Sequence, residues 1–256
     1  MSDPVRTFIE GYITRQVAAA PTATRYRPPL VGFAAADDPA WARLRQVAHP
    51  THFLPTDLLP GARTVAAFFV PFAEEIVEAN RRSETVSREW ALAYVETNSL
   101  IHRIVEGLVA ALGERGVRAV GRPPTGDYDA DTLMSRWSNK SAAAIAGLGS
   151  FGLHRMLITD LGCAGRCGSW VMDAEVELTS GPQPERCLYF SDGSCTVCVG
   201  ACPAGALREA APGEPNLDRQ RCHEYIRQTN QRFADLPSSA SCGKCALGPC
   251  ALAPAT

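Results

Sequence analysis

The sequence predicts a mixed α/β (α+β) domain over residues 1–180, followed over residues 181–256 by a small cysteine-rich module. Three observations predict it. Apolar runs of strand period and helix period alternate up to about Ser180. Gly181-Pro182-Gln183-Pro184 then interrupts the chain as a natural boundary. Beyond that break stand eight of the ten cysteines: Cys187, Cys195, Cys198, Cys202, Cys222, Cys242, Cys245 and Cys250. A chain of 256 residues is long enough for one sizeable core and an appended module.

In chain order, Phe8 to Ala18 reads as a short amphipathic helix, and Pro21–Pro29 as an extended arm or loop. Thr64–Val70 (TVAAFFV) is an apolar run rich in β-formers and stopped by Pro71, which predicts a buried strand. Ser87 to Leu112 is the strongest helix: Tyr94, Leu100, Ile101, Ile104, Val105, Leu108, Val109 and Leu112 recur at helical spacing, and Gly113 and Gly116 end it. Val117–Val120 predicts the next strand, and Gly121–Tyr128 a loop. Ser138–Ala146 is a helix of small residues that ends at Gly147-Leu148-Gly149. Met156–Thr159 and Ser169–Leu178 read as two strands joined by a loop carrying Cys163 and Cys167.

The eight later cysteines form a degenerate repeat. Each half has a lone cysteine, a C-x-x-C pair and a further cysteine three or four residues on. The run Cys195-x-x-Cys198-x-x-x-Cys202-Pro203 is most of the bacterial ferredoxin run, whose last cysteine ligates the other cluster. Two such units related by a pseudo-twofold predict one [4Fe–4S] cluster on Cys187, Cys195, Cys198 and Cys250. The other cluster falls on Cys202, Cys222, Cys242 and Cys245. Asp192 stands where the run would have its first cysteine, and the turn Ser191-Asp192-Gly193-Ser194 brings Cys187 in as substitute. Two structural zinc sites are the alternative, since paired C-x-x-C motifs are also zinc-ribbon spacing. Ribbons do not need the extra Cys202-Pro203.

The formal net charge of −2 gives no electrostatic footprint for nucleic acid or an acidic membrane. No secretory signal or membrane-span pattern is visible, so a cytoplasmic, reducing compartment is expected, where clustered cysteines are metal ligands more often than disulfides.

Ala146-Gly147-Leu148-Gly149-Ser150-Phe151-Gly152, then Met156-Leu157-Ile158-Thr159, a downstream Asp173 and the two-cluster module together resemble the epoxyqueuosine reductases and their corrinoid iron–sulfur relatives, the reductive dehalogenases. The resemblance covers about Leu54 to Cys250. It is closest to a short subgroup carrying Trp137-Ser138-Asn139-Lys140, Gly162-Cys163-Ala164-Gly165-Arg166 and Cys242-Gly243-Lys244-Cys245, which is expected to lack the C-terminal helical-repeat extension. It implies a nitroreductase-like first domain holding cobalamin, a ferredoxin-like bis-[4Fe–4S] domain behind it, and a low-potential donor such as ferredoxin or flavodoxin. The expected function is an iron–sulfur reductase acting on a small molecule or a modified nucleoside. In the family the catalytic acid lies in an Asp-Ser-Ala-Pro stretch. Here that region reads Asp127-Tyr128-Asp129-Ala130-Asp131-Thr132, which puts the tRNA activity in doubt. A corrinoid-free reductase using flavin, and an electron carrier with no substrate of its own, are the alternatives.

Asp131, Asp129 and Tyr128 are the candidate proton donors, against a reading as solvated loop residues. Lys140 and Arg136 are candidates for holding a phosphate or carboxylate, against helix-start surface charges. Gly147, Gly149 and Gly152 would let a cofactor approach the backbone, and His154 follows them, although a lone histidine is more often structural. Cys163, beside two glycines and Arg166, is a candidate reactive thiol, and Cys167 reads as a small buried hydrophobe.

Overall fold

A computed structural model describes residues 3–123, 128–179, 183–236 and 239–255. Asp127 and the expected domain boundary at residues 180 and 181 lie outside the described residues.

Helix α1 (Pro4–Ala18) opens with Asp3 as its cap, which accepts from the Val5 and Arg6 amides at 2.9 and 3.1 Å, and with proline in its first turn. Strand β1 (Leu30–Ala35) follows, a short element that apolar periodicity does not single out. Helices α2 (Ala40–Val47) and α3 (Pro55–Leu58) lead to β2 (Thr64–Pro71), in which every residue is buried. Next come α4 (Glu74–Arg82) and the long α5 (Arg88–Gly113), whose Ser87 side chain accepts from the Trp90 amide. Strand β3 (Ala119–Gly121), α6 (Asn139–Ile145, capped by Ser138), the hairpin strands β4 (Gly149–Phe151) and β5 (Leu157–Thr159), and β6 (Gly165–Met172) complete the first part. The cysteine-rich part carries α7 (Leu188–Ser191), α8 (Val197–Gly200) and α9 (Arg219–Asn230).

The main sheet has the order β1-β2-β6-β3 and every neighbouring pair is antiparallel, so the α+β form of the expected fold class is the one adopted. Helices cover both faces. Ala66, Phe68 and Val70 of β2 pack with Ile9 and Ile13 of α1 and Leu100, Ile104 and Leu108 of α5. Val65, Ala67 and Phe69 pack with Trp41 of α2, Trp137, and Ala142 and Ala143 of α6. Burial on both faces is why β2 is a continuous apolar run rather than an alternating one. Each large side chain sequestered this way stabilises the fold by roughly 1.5–3 kcal/mol.

One strand differs from expectation. Instead of Ser169–Leu178, β6 spans Gly165–Met172, so Cys167 sits on a strand and not on the preceding loop. The two glycines that read as breakers are places where the strand lies against β2. A Cβ on Gly168 would come 2.5 Å from the Phe68 ring, and one on Gly165 would come 2.4 Å from the Val70 carbonyl.

The cysteine-rich part is tied to the first part through its backbone. Cys163 donates to the Cys250 carbonyl at 2.9 Å and Ala164 to Ala251 at 3.0 Å. Arg27 donates to the carbonyls of Phe72, Leu161 and Leu252 at 3.0, 2.6 and 2.7 Å. No helix among the described residues is long and apolar enough to cross a membrane.

Candidate functional site: two cysteine groups and the cavity beside them

Cys187 precedes α7, Cys195 and Cys198 flank the start of α8, and Cys250 lies in a turn near the C-terminal end of the described residues. Burial, and then the neighbouring thiols of Cys187, Cys250 and Cys195, push the Cys198 pKa up to about 12. Cys250 is the exception. A hydrogen bond from the Cys163 thiol lowers its pKa to about 5, with burial opposing and a hydrogen bond from His154 adding to the lowering. Cys163 is pushed the other way by the same hydrogen bond and by burial. The sulfurs lie 3.9 Å apart, and His154 Nε2 is 3.3 Å from Cys250 Sγ. Because His154 Nδ1 accepts from the Met156 amide at 3.0 Å, the ring proton is on Nε2 and points at that sulfur. The ligand atoms of His154, Cys163 and Cys250 all lie within 4.8 Å of one another. Arg186 is buried beside this group, paired through one nitrogen with Asp160 at 2.7 Å, and its Nε and Nη1 have no hydrogen-bond partner.

Cys202, Cys222, Cys242 and Cys245 form the second group. The thiols acting on Cys245 are Cys242, Cys222 and Cys202, followed by Cys198 of the first group; burial is the main cause that takes Cys245 to about 12. Cys222 and Cys242 are likewise raised, chiefly by burial. The Cys242–Cys245 turn is anchored by α4 and α5. Asn80 donates to the Cys242 carbonyl at 2.9 Å, and Lys244 donates to the carbonyls of Asn80 and Ser83. Gly243 has φ +71, and a Cβ there would fall 2.1 Å from the Trp90 ring. Only glycine takes that backbone and that approach without strain.

All four cysteines of the second group line a cavity of about 550 Å³. That volume is in the range of small-molecule sites. Its other walls come from β2 and α5 (Phe69, Trp90, Tyr94), from the segment entering α6 (Trp137, Lys140) and from β6 (Arg166, Cys167).

The predicted site residues divide between this chamber and the surface. Lys140, His154 and Cys163 line the cavity. Lys140 Nζ donates to the Arg155 carbonyl at 2.9 Å and sits 3.8 Å from Met156 Sδ. Tyr128, Asp129 and Asp131 are not among the lining residues: Tyr128 is 52 % exposed, and among the described residues of the loop Leu133 and Ser135 reach the cavity. Asp129 accepts from the Thr132 amide and hydroxyl and from the Asp131 amide, which lowers its pKa and holds it as a carboxylate. In this conformation it is a loop brace rather than a proton donor. Arg136 is exposed and likewise outside the cavity. Gly147, Gly149 and Gly152 are also absent from the lining. A Cβ at Gly149 would lie 2.1 Å from the Ile158 carbonyl and one at Gly152 2.8 Å from the His154 ring, so these glycines close the β4–β5 hairpin.

Sequence reasoning does not single out Tyr94 or Trp90 as site residues, and it treats Arg166 only as a neighbour of Cys163. Tyr94 belongs to the helical-period set of α5, which reads as core, and Trp90 lies one turn before it. Arg166 in fact lies in the cavity wall, its guanidinium carbon 4.3 Å above the Tyr94 ring.

The fold is similar to those of solved epoxyqueuosine reductases and a reductive dehalogenase. No protein-family model matches the chain. Among curated proteins it is 27% identical over 187 residues to the epoxyqueuosine reductase of Bacillus subtilis (strain 168), covering 71% of this chain and 44% of that protein. It is 29% identical over 209 residues to that of Synechococcus sp. (strain CC9605), covering 79% and 55%. The chain thus spans about half the length of these relatives. A structure of epoxyqueuosine reductase with a modified tRNA stem loop matches with TM-score 0.59 at 20% identity, covering 96% of this chain and 66% of that one. One from Bacillus subtilis, with its catalytic aspartate loop swung out of the active site, matches with TM-score 0.58 at 18% identity, covering 98% and 67%. A reductive dehalogenase described with B12-dependent dehalogenation matches with TM-score 0.56 at 15% identity, covering 86% and 29%.

Proposed function

We propose that this chain is an iron–sulfur reductase in which two [4Fe–4S] clusters carry single electrons from the surface to the cavity. Cys187, Cys195, Cys198 and Cys250 would hold the first cluster, and Cys202, Cys222, Cys242 and Cys245 the second. The observation that carries this reading is the grouping of eight thiols in two adjacent sets of four, one of which lines the cavity. The donor set fits the clusters: it is all sulfur, and thiols that burial and mutual repulsion keep protonated are ionised by the positive charge of bound iron.

Cobalamin is the cofactor that the relatives' descriptions suggest. The cavity fits it in part. Aromatic walls suit a flat ring, and both nitrogens of His154 are engaged, which leaves no imidazole from His154 for the metal. A complete cobalamin is larger than the drug-sized ligand that such a volume encloses, so its nucleotide tail would lie outside. The cofactor would supply nucleophilic, one-electron cobalt chemistry. The chain's own residues hold the second cluster against the cavity, exclude water with Phe69, Trp90 and Trp137, and present Lys140 and Arg166. A proton would come from the loop over residues 128–132 if it swings inward, the reverse of the displacement described for the relative. The substrate class is a small molecule or a modified nucleoside; the chain's net charge of −2 brings no surplus for a tRNA backbone. A ferredoxin or flavodoxin would deliver electrons at the first group, where Val197 is 48 % exposed.

The test is electron paramagnetic resonance of anaerobically purified protein before and after addition of cob(II)alamin. Two reduced-cluster signals per chain and a base-off cobalt spectrum are the expected result. An unchanged cobalt spectrum removes cobalamin and leaves the clusters; colourless, zinc-loaded protein removes the reductase reading altogether.

A further inference from the structure

Basic residues enter the cavity wall from four directions, and no aspartate or glutamate among the described residues lines it. Two of the four are committed elsewhere. Lys244 caps the end of α4 through the Asn80 and Ser83 carbonyls. Arg155, held at φ +61, donates to Asn216 Oδ1 and the Glu214 carbonyl. Lys140 spends one donor on the Arg155 carbonyl and a weak one on Met156 Sδ, and keeps the third.

Arg166 is the exception that points to a ligand. Its guanidinium lies on the Tyr94 ring, and its Nε is buried with no hydrogen-bond partner. The ionisable groups acting on it are the Tyr94 phenol and the Cys167 thiol, not carboxylates and not any of the eight clustered cysteines. Cys167 does not balance the charge, since burial takes its thiol to about 12. Burial lowers the pKa of Lys140; the Cys167 and Cys245 thiols act against that, and Arg166 is near enough to add to it. A bound inner cluster would balance Lys140, whereas a buried guanidinium with no acidic partner is destabilising unless an anion joins it. Trp90, Tyr94, Trp137, Phe69 and Phe72 also line the cavity. A single guanidinium already matches two oxygens of a carboxylate or phosphate in its plane, so no second arginine is needed to orient such a group.

We infer that the cavity binds its ligand through an anionic oxo group, carboxylate or phosphate, seated on Arg166 and Lys140, with a planar apolar body against Trp90, Tyr94 and Trp137. The inference deepens the reductase reading by naming the substrate class, and it rests on that reading only in taking the cavity as the reaction chamber.

The test is calorimetric titration of the cluster-loaded, anaerobic protein with benzoate, phenyl phosphate and benzamide, the last being the neutral counterpart of benzoate. At least one of the two anions is expected to bind at least about tenfold more tightly than benzamide, the step that one charge-assisted pairing supplies. Which anion binds distinguishes carboxylate from phosphate. Arg166→Gln is expected to remove that preference, and Arg166→Lys to keep part of it by retaining the charge without the fork. Equal binding of benzoate, phenyl phosphate and benzamide, or no binding of any of them, overturns the inference in the wild-type protein alone, whether or not the variants fold. An unchanged preference in folded Arg166→Gln also overturns it. Iron content is read separately: a protein without iron that still prefers the anion contradicts the cluster reading and leaves this one standing.

Discussion

The two cysteine groups differ in what surrounds them. The first has exposed Val197 between Cys195 and Cys198, and two side chains, Cys163 and His154, reach Cys250. The second forms a wall of the cavity, and its Cys242–Cys245 turn is clamped by Asn80 and Trp90 of the first part and by its own Lys244. Sulfur hydrogen bonds and solvent exposure both move the potential of an iron–sulfur cluster. On the proposed reading, the group beside exposed Val197 would hold an outer cluster that receives electrons, and the group lining the cavity an inner one that delivers them.

The largest effect expected from this comparison is on the outer group. Cys250→Ala is expected to lose one cluster, roughly half of the iron, and to spare the inner one; iron analysis with spin quantitation checks it, and equal loss of both clusters in a folded protein would break the proposed grouping. On the inner side, Gly243→Ala imposes a left-handed backbone on a side chain that would meet the Trp90 ring. It is expected to lower stability by about 1–3 kcal/mol and to loosen the inner cluster first, read by thermal melting and by the order of iron release.

A smaller effect separates the groups electronically. His154→Phe removes the Nε2–H that points at Cys250, so the outer cluster is expected to become harder to reduce while the inner one keeps its potential; a redox titration resolves the two. The smallest effect is chemical. In iron-free protein at neutral pH, Cys250, held near pKa about 5, is expected to alkylate with iodoacetamide ahead of Cys198, Cys245 and Cys167, all pushed to about 12. The sign follows from the thiolate being the nucleophile: a lowered pKa exposes it at neutral pH and a raised one hides it. Mass spectrometry of partial modification gives the order.

What is legible in the sequence follows the range of the interactions. Helices α1 and α5 and strand β2 are readable because their apolar periods are local, and cysteine spacing is a local property too. The start of strand β6 is not readable, because Gly165 and Gly168 look like breakers until the Phe68 and Phe69 rings beside them are known. The glycine element ending in Gly152 reads as a cofactor cradle, but its close contacts at Gly149 and Gly152 are within its own hairpin. The chamber is the least legible part. Tyr94, Lys140 and Arg166 come from α5, α6 and β6, and nothing along the chain says that three such distant positions share one wall.

The most direct test of the central claim is spin quantitation of the dithionite-reduced, anaerobically purified protein alongside Cys250→Ala and Cys242→Ala. Two cluster signals in the wild type, with one lost in each variant and a different one each time, is the predicted result. A wild type with no iron signal, or variants that lose the same signal, would contradict it.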